Sequence, residues 1–194
     1  PPLQDADRSA TVASLDFTAR FRRRAALVVE IGFGNGENLL ALATAHPEKD
    51  FLGIEVHRAG VGHLLLRAEE AGLGNLRVMQ HDAVEAFEHQ IAPGVLDEVL
   101  VLFPDPWHKK RHHKRRIVNA EFLALIHPKI KDGGFFHIAT DWVPYAEQIQ
   151  EVFEASPLFA GGVVERPEWR PVTRFEGQGI TKDHQVTDLR YTKS

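Results

Sequence analysis

The chain has 194 residues, 43% of them hydrophobic, which allows one sizeable core and favours a single domain. It contains no cysteine, which excludes a disulfide framework, a thiolate metal site and a cysteine nucleophile, and its formal net charge is −4. No uncharged apolar run reaches the roughly 18 residues that could span a membrane, and no signal-peptide core opens the chain, so a soluble cytoplasmic protein with no membrane partner is expected.

Residues 1–24 are polar up to Phe17 and end in Arg20, Arg22, Arg23 and Arg24. They read as a loosely held arm ahead of one domain spanning residues 25–194. The run LVVEI (27–31) suits a strand and is followed by a glycine-rich turn and the helical NLLALATA. FLGIE (51–55) precedes a helix carrying Val61, Leu64, Leu65 and Ala68 on one face and stopped at Gly72. LRVM (76–79) leads to AVEAFEHQI. DEVLVLF (97–103) leads past a basic block to a helix with Val118, Phe122, Leu125 and Ile126 inward, ending at Gly133 and Gly134. FFHIA (135–139) precedes a helix with Pro144 in its first turn and Tyr145, Ile149, Val152 and Phe153 facing the core. After a stretch rich in proline and glycine, VTDLRYT alternates as a closing strand, read as antiparallel. Five successive βα units make the fold class α/β, a mostly parallel sheet with helices on both faces.

Ligands of such sheets bind outside the carboxyl ends of the strands. Glu30, Glu55, Asp82, Asp105 and Asp141 each fall at or just after one such end. Any one of them, Asp82 above all, is equally well the N-cap of the next helix. All five together suit a ligand with hydroxyls, amines or positive charge better than a phosphate. In EIGFGNGENL, Gly32, Gly34 and Gly36 form G-x-G-x-G, a turn that brings backbone close to a bound molecule. A dinucleotide fingerprint wants glycine at position 37, where Glu37 would repel a pyrophosphate, so NAD is disfavoured. Glu55 ends the second strand, where a carboxylate can accept ribose hydroxyl protons.

These features resemble the class I S-adenosylmethionine-dependent methyltransferases, a Rossmann-like fold with a mostly parallel seven-stranded sheet, helices on both faces and an antiparallel last strand. The resemblance implies S-adenosyl-L-methionine as cofactor. Gly32, Gly34 and Gly36 would form the turn beside it, with Glu30 shaping the pocket at the methionine end, Glu55 holding ribose and Asp82 near the adenine.

After the fourth predicted strand, FPDPWHK presents Asp105 between two stiffening prolines, with Trp107 either a stacking platform or a packed loop residue. Six of the eight residues from Lys109 to Arg116 are Lys or Arg, and without them the chain carries 17 bases against 27 acids. The block suits the phosphates of a polyanion, and the alternative is a solvated face at the start of the next helix, where cations oppose the macrodipole. His108, His112 and His113 resemble a metal cluster on paper, but with no cysteine and so many cations no metal is expected.

EIGFGNGENL, GIEVHRAGVG, RVMQHDAVE, FPDPWHKKRHHKRRIV, GGFFHIATDWVPYAE and RPVTRFEGQG, in that order, resemble the bacterial tRNA (guanine-N7)-methyltransferase family over nearly everything from Leu27 to Tyr191. That resemblance implies tRNA as partner. It also implies Asp105 as the catalytic acid, Lys109, Asp141, Thr173, Arg174, Phe175 and Glu176 as substrate-binding residues, and Arg111, His112, His113, Lys114, Arg115 and Arg116 as the RNA-contacting stretch. Monomer and homodimer stay equally open. The competing readings are a methyltransferase acting on another nucleic-acid or protein nitrogen, a noncatalytic RNA-binding module and a nicotinamide dehydrogenase.

Overall fold

The computed structural model describes residues 14–170, 172 and 186–194. Seven strands form one sheet, taken in chain order as β1 (Leu27–Ile31), β2 (Asp50–Glu55), β3 (Leu76–Gln80), β4 (Leu96–Leu102), β5 (Ile130–Thr140), β6 (Phe159–Val164) and β7 (Thr187–Lys193). Their order across the sheet is β3-β2-β1-β4-β5-β7-β6. The first five strands are parallel, and β7 runs antiparallel to both β5 and β6.

Strands with apolar residues on both faces need cover on both sides. Val29 and Ile31 of β1, Leu52 and Ile54 of β2, and Val99 and Val101 of β4 pack with α4 (Ala83–His89), α5 (Ala120–Ile126) and α6 (Val143–Glu154). The alternate residues Val28, Phe51, Leu100 and Leu102 pack with α2 (Glu37–Ala45) and α3 (Arg58–Glu70). The helices begin where local chemistry places them. Asp82 caps α4 by accepting from the Glu85 amide, Asn119 caps α5 through the Phe122 amide, and Pro144 occupies the first turn of α6.

Three expectations are corrected. The arm is docked over its last residues: Leu15 donates its amide to the Gln90 carbonyl, Phe21 of the short α1 (Phe17–Phe21) is buried beneath the Arg77 guanidinium, and Arg23 pairs with Asp50 at 2.7 Å. The helix expected to reach Gly133 ends at Ile126, because Pro128 follows, and both glycines lie inside a longer β5. A Cβ on Gly134 would press against the Asp97 carbonyl of β4, so this glycine serves close strand approach rather than helix termination. Thirdly, the basic block forms a separate 3₁₀ turn, Lys110–Arg115, ahead of the Asn119 cap, and does not oppose the dipole of α5.

Candidate active site

The sheet reverses its winding at β1 and β4, which lie side by side, and such switch points open a crevice at the carboxyl ends of the strands. Gly32, Gly34 and Gly36 follow β1 with φ of 69°, 57° and 77°, the left-handed region that favours glycine. A Cβ on Gly36 would strike Leu64 of α3, whereas one on Gly32 or Gly34 would meet nothing, so the turn shows an open face to the crevice. Glu55 braces this turn. Its Oε2 accepts from the Gly34 amide at 2.9 Å, and its Oε1 accepts from the Val56 and His57 amides at 2.7 and 3.0 Å. Of roughly four acceptor positions on a carboxylate, one on Oε2 stays free, so gripping two hydroxyls requires giving up a backbone bond.

Glu30 lies within β1 and is 3% exposed. Burial pushes its carboxyl up to about 7 against a downward pull from Asn38, whose Nδ2 donates to Oε2 at 2.9 Å. The oxygen of that amide, Asn38 Oδ1, is buried with no hydrogen-bond partner among the described residues. A carboxyl that ionises reluctantly beside an unpaired acceptor suits an ammonium donor, which would satisfy both.

Asp105 follows β4 on a loop bounded by two non-glycine residues in the left-handed region, Phe103 at φ 53° and Trp107 at φ 46°. Each such conformation costs about 1–2 kcal/mol and persists only when the surroundings over-determine it. The restraints are visible on every side. The Phe103 amide donates to the Ala139 carbonyl at 2.7 Å, Arg115 lies over Trp107 at 4.9 Å, and His108 meets Trp142 edge-on at 4.4 Å. The last contact joins this loop to the end of β5, where exposed Asp141 precedes Trp142. Asp105 is exposed, and with Pro106, Trp107, His108, Lys109 and His112 it lines a cleft of about 410 Å³.

Asp82, Glu55, Asp105 and Asp141 therefore stand at or just after the ends of β3, β2, β4 and β5, and buried Glu30 lies one residue inside the end of β1, along the order β3-β2-β1-β4-β5. Asp82 is also the N-cap of α4. Arg111, His113, Lys114 and Arg115 are exposed, whereas His112 is half-buried against Trp107. Arg116 departs from the expected RNA-contacting stretch: it is 3% exposed and donates to the Pro106 carbonyl. Thr173, Arg174, Phe175 and Glu176 lie outside the described residues. The described segment before them ends at fully buried Arg170, whose Nε and terminal nitrogen grip Asp188 of β7 at 2.8 and 2.7 Å. Buried His137 of β5 completes that cluster at 2.9 Å from Asp188. Burial pushes the Asp188 carboxyl up, but hydrogen bonds from His137 and Arg170 outweigh it and hold the carboxyl below its usual range. Asn38, Gly60 and Trp142 went unread in the sequence, and only the G-x-G spacing around Gly60 offered a signal; Arg116 was read for RNA contact and not for its place beneath the loop. Among the described residues no helix is long and apolar enough to cross a membrane, and no group of three His, Asp or Glu is placed to hold a metal.

Residues 24–189 match a family described as "Putative methyltransferase". The chain is 52% identical over 188 residues to a tRNA (guanine-N(7)-)-methyltransferase of Shewanella halifaxensis, covering 94% of this chain and 79% of the relative. It is 50% identical over 184 residues to the protein of the same name from Acidovorax sp. (strain JS42), covering 93% and 73%. Among solved structures, the 16S rRNA methyltransferase KamB superposes with a TM-score of 0.66 at 16% identity, covering 92% of each chain. The aminoglycoside resistance methyltransferase NpmB1 gives 0.62 at 19% identity with the same coverage. These last two share the fold.

Proposed function

The chain belongs to the tRNA (guanine-N7)-methyltransferase family, and on that premise we propose that it transfers a methyl group from S-adenosylmethionine to N7 of a variable-loop guanine in tRNA. The observation that carries this reading is Asp105, held on a restrained loop at the switch point and next in line to the glycine turn with its open face.

The residues present suit the cofactor. The open face at Gly32 and Gly34 leaves room for its backbone-contacting part, Glu30 with Asn38 Oδ1 suits its ammonium, Glu55 offers one acceptor to a ribose hydroxyl, and Asp82 lies two strands from the turn, toward the adenine. When bound, S-adenosylmethionine supplies an electrophilic methyl group on a cationic sulfur.

Guanine N7 carries a lone pair and no hydrogen at neutral pH, so the attack requires no general base. Asp105 instead presents fixed negative charge where the purine becomes cationic, and its stiff loop aligns the base. Glu176 and Asp141 select guanine by accepting from its N1 and N2 hydrogens, which adenine cannot offer in the same pattern. Arg111, His113, Lys114 and Arg115, with Lys109, face RNA phosphates. His112 helps shape that surface from beneath. The test is mass spectrometry of tRNA lacking the modification after incubation with enzyme and labelled methyl donor. Labelled N7-methylguanosine in the variable loop is expected, and label on another base or on protein would sink the assignment.

A further inference from the structure

Buried arginines ordinarily meet a carboxylate, and Arg116 does not. Among the described residues it makes no ion pair. Its Nε donates to the Pro106 carbonyl at 2.8 Å, one terminal nitrogen reaches Gln148 Oε1 at 3.5 Å, and the guanidinium lies 4.6 Å from the centre of the Tyr145 ring. The second terminal nitrogen, Nη2, is buried without a hydrogen-bond partner among the described residues. Burying a guanidinium so sparsely bonded is unfavourable, so its one short bond, to the Pro106 carbonyl, must serve something else.

Its target is informative. The Pro106 carbonyl belongs to the peptide linking Pro106 to Trp107, directly after Asp105 and directly before the left-handed Trp107. A donor on that oxygen fixes the peptide plane and holds Trp107 in its unfavourable conformation. Because Pro106 has a fixed φ, the constraint passes back to Asp105. The far wall of the clamp is secure as well: Tyr145 accepts from the Val118 amide, and Gln148 donates to the Val118 carbonyl. Arg115, the preceding residue, lies over the Trp107 ring.

We propose that Arg116 is a positioning residue for methyl transfer, setting the direction of the Asp105 carboxylate through the Pro106 carbonyl, while its exposed neighbours meet the RNA phosphates. This rests on the reading that Asp105 works at the transfer site.

The test compares wild type, Arg116→Met, Arg116→Lys and Lys114→Ala by single-turnover tRNA methylation, tRNA affinity against salt, and melting temperature. Arg116→Met removes an uncompensated buried charge and keeps the stem volume, so it melts no lower than wild type yet transfers methyl about 10- to 100-fold more slowly. Arg116→Lys slows transfer by about 10-fold, since its donor sits at the end of the stem and not at the Nε position. Both retain the wild-type slope of log affinity against log salt, which Lys114→Ala lowers by about 0.7–0.9. Wild-type transfer in either Arg116 variant, or a slope lowered as in Lys114→Ala, overturns the proposal. Should Arg116→Met fail to fold, the lysine variant decides the question with the same readouts. A wild-type enzyme that forms no N7-methylguanosine overturns the functional reading instead.

Discussion

Asp105 makes no side-chain hydrogen bond among the described residues, so its charge is uncommitted until a substrate arrives. Replacing it with alanine should slow single-turnover transfer by about 100-fold while leaving the dissociation constant for tRNA unchanged, as measured by rapid quench and filter binding. Glu30 makes a pH-dependent prediction. Its carboxyl rises from an ordinary 4.5 to about 7, so between those values the folded state keeps a proton that the unfolded state has released. Stability therefore falls as pH rises through that window, by at most about 3 kcal/mol. Glu30→Gln should abolish the slope, leaving the variant more stable than wild type at pH 8 and no different near pH 4, in denaturant titrations across pH. Both carboxylates were readable in the sequence because Glu30 interrupts an apolar run and Asp105 follows one. Arg116 was not: inside an unbroken basic block nothing separates the one inward residue from those facing solvent. Only the path of the 3₁₀ turn turns it under the loop.

Helix α3 matters to the site through one glycine. Gly60 lies so near the glycine turn that a Cβ there would collide with the Gly34 carbonyl oxygen, which makes the position of α3 part of the turn's geometry. Gly60→Ala should destabilise the protein by about 1–3 kcal/mol and weaken S-adenosylhomocysteine binding, measured by thermal melting and calorimetry. Gly34→Ala has room for its methyl but not for its φ of 57°, so it should cost about 1–2 kcal/mol of stability and lose binding as the methyl enters the open face. The parallel strands were legible because their double-sided burial leaves continuous apolar runs. Strand β6 was not. Its FAGGVV holds two glycines and exposed valines, and a Cβ on Gly161 would run into the Arg190 carbonyl, so the strand exists through close pairing with β7 and not through its own side chains.

At the scale of the molecule the charges are sorted. The net charge is −4, yet four strand-end acids and one buried within β1 ring the crevice while the cations of the 3₁₀ turn stand beside it. A polyanion is thereby drawn to one side and kept off the rim. Removing both Arg111 and Lys114 should flatten the slope of log tRNA affinity against log salt by about 1.4–1.8, with S-adenosylhomocysteine affinity unaltered. Overall topology could be inferred from the alternation of elements, but the docking of residues 15–24 depends on partners such as Gln90, Asp50 and Arg77, far away in the chain. The placement of β7 carries a further consequence. It follows β6 in the chain, yet it fits between β5 and β6. Until β7 is in place, β6 has no strand neighbour among the described residues and the flank of β5 offers bare amides and carbonyls. A folding intermediate that still lacks β7 thus carries an adhesive seam, and this is the state in which the sheet is most exposed to aggregation.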